Sequence, residues 1–129
     1  NLIPDTGLLS HAMTSALVVD DNAVNRKLAV ALLKRRGWAV EEAENGAVAM
    51  QKLAAGTFDA VLLDISMPVM DGEETCKRIR ANPASAHLRV VAYTAHAMES
   101  ERERFMAAGF DDMVIKPISA QDLLRVLPD

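Results

Sequence analysis

Short apolar runs that stop at a polar residue alternate along this chain with stretches of helical periodicity. Ala16-Leu17-Val18-Val19 stops at Asp20-Asp21, and Val61-Leu62-Leu63 stops at Asp64. Continuous apolar runs of this length suit strands buried on both faces of a parallel sheet. Two further runs have the same design: Arg89 to Tyr93 stops at Thr94, and Asp112 to Ile115 stops at Lys116-Pro117. Ala39–Ala43 is interrupted by Glu41-Glu42 and reads as an edge strand.

Helices are predicted between these runs. Asn22 can cap a helix in which Val24, Leu28, Ala31 and Leu32 recur at helical spacing. Lys34, Arg35 and Arg36 suit its carboxyl end, and Gly37 stops it. Asn45-Gly46 opens a second helix to about Ala55, with Ala49 and Leu53 on one face and Gly56 after it. Glu73 to Ala81 is a third, closed by Asn82-Pro83. Met98 to Ala108 is a fourth, stopped by Gly109. Ser119 caps a last helix through Leu127, with Asp122 completing an imperfect capping box. Five strands alternating with five helices over short connections imply right-handed βαβ units and a parallel sheet between two helix layers.

Residues 1–14 lack this periodicity and carry Pro4 and Gly7; the chain begins with Asn1, and Met13 is a candidate start. They are expected to be a flexible tail, a linker or residues added in cloning, and 15–129 the folded domain.

The 129 residues are 50% hydrophobic, enough for one domain with a real core. The net charge is -4 and aromatics are 4%. With no basic run and no stacking aromatics, this argues against nucleic-acid binding. The longest apolar run, Leu28 to Leu33, is too short to span a bilayer, and no signal peptide is visible. Cys76 is alone, which excludes an internal disulfide and fits a reducing compartment. A cytoplasmic location is expected, and no Cys/His spacing supports a zinc site.

Parallel strands bring Asp20, Asp21, Asp64, Thr94 and Lys116 to one edge of the sheet, the carboxyl edge where open α/β sheets bind ligands. Crowded carboxylates raise one another's pKa unless a cation neutralises them. Carboxylate oxygens with open water positions suit Mg²⁺. A hard cation, an ammonium and a hydroxyl around one carboxylate supply the charge neutralisation and positioning that phosphoryl transfer needs. Aspartate can itself be the nucleophile, forming an acyl phosphate.

These residues lie in motifs that resemble the response regulator receiver domain of two-component signalling. The motifs are Val18-Val19-Asp20-Asp21-Asn22; Leu62-Leu63-Asp64 with Met67-Pro68-x-Met70-Asp71-Gly72; Tyr93-Thr94-Ala95; and Asp112 to Lys116-Pro117, within a match from about Ser15 to Leu127. The resemblance implies a doubly wound, flavodoxin-like five-stranded parallel sheet in the order 2-1-3-4-5, with helices on both faces. It implies that Asp64 accepts the phosphoryl group from a sensor histidine kinase or histidine phosphotransfer protein. Asp21, Asp64 and the Ser66 carbonyl would then ligate Mg²⁺, with Asp20 acting through water. Thr94 and Lys116 would bind phosphoryl oxygens, with a cis Lys116-Pro117 peptide. It also implies a candidate homodimer face on the fourth helix, fifth strand and fifth helix.

Asp20-Asp21-Asn22-x-x-Asn25-Arg26, and Thr94-Ala95-His96-Ala97-Met98 before Ala107-Ala108-Gly109-Phe110-Asp111-Asp112, resemble receivers fused to hybrid sensor kinases. Two positions depart from the family pattern. His96 stands where hybrid-type receivers often carry Asn, beside the path of the attacking water. Met113 stands where an aromatic ring often moves with the switch. Such a domain would catalyse its own phosphorylation and slow hydrolysis and turn over no metabolite. Two other functions share the fold class. One is a phosphorylation-independent interaction module, against which the intact acidic pair, Asp64, Thr94 and Lys116 argue. The other is a flavin-binding electron carrier, whose phosphate Asp20-Asp21 would repel. Asp71-Gly72 reads as turn and cap chemistry, and Cys76 as a small helix residue.

Overall fold

A computed structural model of the chain describes residues 14–67, 69–95 and 98–128. Of the expected tail, only Thr14 is among them. The elements are β1 (Ser15–Val19), α1 (Ala23–Arg35), β2 (Ala39–Ala43), α2 (Gly46–Ala55), β3 (Ala60–Asp64), α3 (Gly72–Ala81), β4 (Arg89–Thr94), α4 (Glu99–Ala108), β5 (Asp112–Ile115) and α5 (Ala120–Val126). All strand pairs are parallel and their order is β2-β1-β3-β4-β5. The expected doubly wound sheet is therefore present, with β2 at one edge. No helix among the described residues is long and apolar enough to cross a membrane.

The runs fold as they do because the three central strands, β1, β3 and β4, bury both faces, whereas edge strand β2 leaves Ala39 and Glu41 exposed. Every residue of β3 is buried. Val61 and Leu63 enter one core layer with Ala49 of α2, Cys76 and Ile79 of α3 and Phe105 of α4. Ala60 and Leu62 enter the other, with Ala29, Val30 and Leu33 of α1 and Leu123 and Val126 of α5. At about 1.5–3 kcal/mol for each large apolar side chain buried, these two layers fix the sheet's register.

Helix ends follow their capping residues. The side chains of Asn22, Asn45, Asp71 and Ser119 accept from the amides of Asn25, Val48, Glu74 and Asp122, respectively. Gly109 ends α4 with φ +113, a left-handed turn suited to glycine.

One pattern has a different outcome from its usual meaning. The periodic residues that predict α1 are not the ones it buries. Val24 is 78% exposed and Leu28 is exposed, whereas Ala29, Val30 and Leu33 form the core face. Periodicity identified the helix, and packing chose another stripe of it.

Candidate functional site

Strand register assembles the site. β1 pairs with β3 so that Val19 lies opposite Leu63, which sets the next residues, Asp20 and Asp64, side by side. Asp64 lies opposite Tyr93, and Thr94 opposite Ile115, so Thr94 and Lys116 reach the same edge. The Lys116 amide donates to the Thr94 carbonyl at 2.8 Å. The site straddles β1 and β3, where the strand order reverses, which is where open α/β sheets take ligands.

Asp20 is fully buried, Asp64 is 2% exposed and Asp21 faces solvent. One oxygen from each of the three lies within 4.8 Å of the others. Lys116 Nζ stands 3.1 Å from Asp20 Oδ2 and 3.1 Å from Asp64 Oδ1. The Asn22 amide donates to Asp20 Oδ1 at 2.8 Å and the Ser66 amide to Asp64 Oδ1 at 3.3 Å. Asp64 Oδ2 is buried with no hydrogen-bond partner among the described residues.

One ammonium cannot balance three carboxylates. Burial, and then the Asp20 charge, push the Asp64 carboxyl up to about 7, against the opposing pull of Lys116. The cluster thus calls for either a proton or a further cation near neutrality. Three crowded carboxylates, one of them open to solvent and one carrying an unpartnered oxygen, form a donor set that fits a hard divalent cation such as Mg²⁺.

The structure therefore brings Asp20, Asp21, Asp64 and Lys116 into one cluster. Thr94 is buried at the end of β4 and tied to Lys116 through its backbone. Ser66 is exposed in the loop after β3. The Lys116-Pro117 peptide is cis. His96 lies outside the described residues. Cys76 is buried, and burial pushes its thiol up to about 11, leaving it an unreactive core group.

Three contributors escape a reading of the sequence. Gly72 is one: a Cβ there would lie 2.2 Å from the Asp64 carbonyl oxygen and 2.8 Å from Ile65 Cα. Asp71 does cap α3, but its neighbour must also be glycine so that α3 can start against the back of Asp64. The Met70-Asp71-Gly72 turn was the available signal. Tyr93 is another: its ring centre lies 4.9 Å from Lys116 Nζ, a cation–π contact within the buried wall of the site. The third is Arg26, whose guanidinium donates to the Asp20 carbonyl at 2.8 Å.

Comparison with known proteins agrees with this arrangement. The family profile described as the response regulator receiver domain matches residues 16–127. The signal transduction histidine-protein kinase BarA of Escherichia coli is 39% identical over 126 residues, 98% of this chain and 14% of that protein. This chain thus spans about a seventh of such a relative's length. Among solved structures, the chemotaxis protein CheY4 of Vibrio cholerae is 29% identical with a TM-score of 0.84, covering 89% of this chain and 99% of that one. The receiver domain of the sensor histidine kinase PA1611 from Pseudomonas aeruginosa is 32% identical with a TM-score of 0.81, covering 88% and 93%. That structure has a magnesium ion coordinated in its active-site cleft.

Proposed function

This chain belongs to the response regulator receiver domain family, and from that premise we propose that it is a phosphoryl-accepting switch with Asp64 as acceptor. The observation that carries the reading is the ammonium of Lys116 bridging Asp20 and Asp64 beside an unpartnered, buried Asp64 oxygen. Such a carboxylate is desolvated and fixed in direction, as an attacking nucleophile should be.

Asp21, Asp64 and the Ser66 carbonyl would hold Mg²⁺ directly, with Asp20 reaching it through water. When bound, the ion neutralises the carboxylates and the charge on the transferring phosphoryl oxygens. An Asp64 oxygen attacks phosphorus, the bond from phosphorus to the donor imidazole nitrogen breaks, and that nitrogen keeps the electron pair. Lys116 and the Thr94 hydroxyl take the phosphoryl oxygens. Attack by water later returns phosphate and the free carboxylate. The chain catalyses these steps on itself and turns over no metabolite.

The donor is a phosphohistidine on a sensor kinase or phosphotransfer protein, in keeping with the kinases it resembles. The switch domain is residues 15–129. A cytoplasmic setting fits its one buried thiol. Pairing of two copies across α4, β5 and α5 is a candidate output, with neither nucleic acid nor membrane as partner.

The test is intact-mass measurement after treatment with a small acyl phosphate and Mg²⁺. One phosphoryl adduct is expected on the wild type and none without Mg²⁺. Equal labelling of Asp64→Asn would overturn the assignment.

A further inference from the structure

We infer that Arg26 is a positioning residue for the acidic pair, fixing the peptide between Asp20 and Asp21 and so the backbone point from which the Asp21 carboxylate projects; this rests on the acidic trio being the Mg²⁺ site. Arg26 lies one turn into α1, and its side chain is only 15% exposed. Its guanidinium makes two directed contacts. Nη1 donates to the Asp20 carbonyl at 2.8 Å, and Nε donates to Glu42 Oε1 at 2.8 Å. A planar guanidinium held at two points has little freedom left.

The grip is anchored on β2. Glu42 also accepts from Lys27 Nζ at 2.8 Å, and its carbonyl accepts from Lys52 Nζ at 2.6 Å. The Asp20 amide donates to the Ala43 carbonyl at 3.1 Å. Asp20 is therefore held at its amide by β2, at its carbonyl by Arg26, at Oδ1 by Asn22 and at Oδ2 by Lys116. Asp21 has no such set: its side chain is exposed and has no hydrogen bond or ion pair among the described residues. What places it is the backbone. Because the peptide unit is planar, fixing the Asp20 carbonyl also fixes the Asp21 nitrogen and Cα, the point from which its side chain projects. The charges of the polar edge strand β2 thereby acquire a purpose. Glu42, an interruption in the strand pattern, is the post to which Arg26 is tied.

The experiment is calorimetric titration of the whole chain with MgCl₂, with circular dichroism confirming that each variant is folded at the working temperature. Arg26→Ala is expected to weaken Mg²⁺ binding about tenfold, the scale on which residues behind metal ligands act. Arg26→Lys should not restore it, because one ammonium cannot hold the carbonyl and Glu42 in the same geometry. Arg80→Ala is the control. Arg80 donates to the Gly109 carbonyl and Asp111 at the far end of the sheet, so its loss lowers the melting temperature but leaves Mg²⁺ affinity within about twofold. The inference is overturned if Arg26→Ala binds as tightly as wild type, if Arg26→Lys restores full affinity, or if Arg80→Ala weakens binding equally. A wild type that binds no Mg²⁺ would instead overturn the reading of the trio, and this inference with it.

Discussion

Lys116 Nζ and Asp64 Oδ1 are 3.1 Å apart, yet the Asp64 carboxyl still sits at about 7, because burial and the Asp20 charge outweigh the ammonium. The pairing is strong in geometry and insufficient in charge. That imbalance makes the metal-free fold sensitive to pH.

In the metal-free protein, folded Asp64 keeps its proton up to about pH 7, while the unfolded chain releases it near 3.8. The folded state then binds more protons, so stability falls as pH rises across that window and levels off above it. The expected loss is on the order of 1–3 kcal/mol between pH 5 and pH 8, less than the full shift implies because the site relaxes. Urea melts in EDTA should show this slope in wild type and a flatter one in Asp64→Asn. Saturating Mg²⁺ should raise wild-type stability at pH 8 and leave Asp64→Asn nearly unchanged. Parallel slopes for the two proteins in EDTA would remove Asp64 from the account.

Gly72→Ala tests the closeness of α3 to the acceptor. The added methyl meets backbone at 2.2 Å, which cannot yield as a flexible side chain would. The loop after β3 must shift, at a cost of about 1–3 kcal/mol. Phosphorylation by acyl phosphate should slow along with the loss of stability. Cys76→Ala, a cavity change one turn along the same helix, should lower stability but leave that rate nearly intact.

Val24 and Leu28 form an exposed apolar stripe on α1, starting three residues after Asp21. Under the proposed function, a protein donor docking at the carboxyl edge of the sheet is expected to touch Val24 in the first turn of α1. Val24→Ser is expected to leave the melting temperature within a degree or two of wild type. It should slow transfer from a phosphohistidine protein about fivefold, equivalent to about 1 kcal/mol at an interface. Labelling by a small acyl phosphate should not change. Equal slowing with both donors would place the effect in the site rather than the docking surface.

Met113 is 4% exposed and packs in the core layer that holds Phe105 and Ala92. A thioether fills such a gap flexibly and has no ring to swing between two positions. The response to phosphorylation is therefore expected to spread over β4, α4 and β5 rather than act through one moving side chain. Amide exchange with and without a phosphoryl mimic on Asp64 should show changes between Thr94 and Met113. Changes confined to residues 65–72 would refute this route.

The sequence by itself determined the ten elements, the parallel sheet and the four polar strand ends. Apolar runs, capping side chains and stop glycines act over a few residues, so their signals survive without the fold. Glu42 shows where that reach ends. In sequence it weakens a strand, but in space it anchors Arg26 and Lys27, 16 and 15 residues away. Only the pairing of β1 with β2 and the packing of α1 beside them create those contacts. The same is true of Gly72 against Asp64, and of α1 burying Ala29, Val30 and Leu33 while exposing Val24. Periodicity states that a helix has an apolar face; which face is buried depends on volumes contributed by strands and helices far along the chain. The elevated Asp64 carboxyl belongs to this second class too, because desolvation and neighbouring charge exist only once the strands have closed around it.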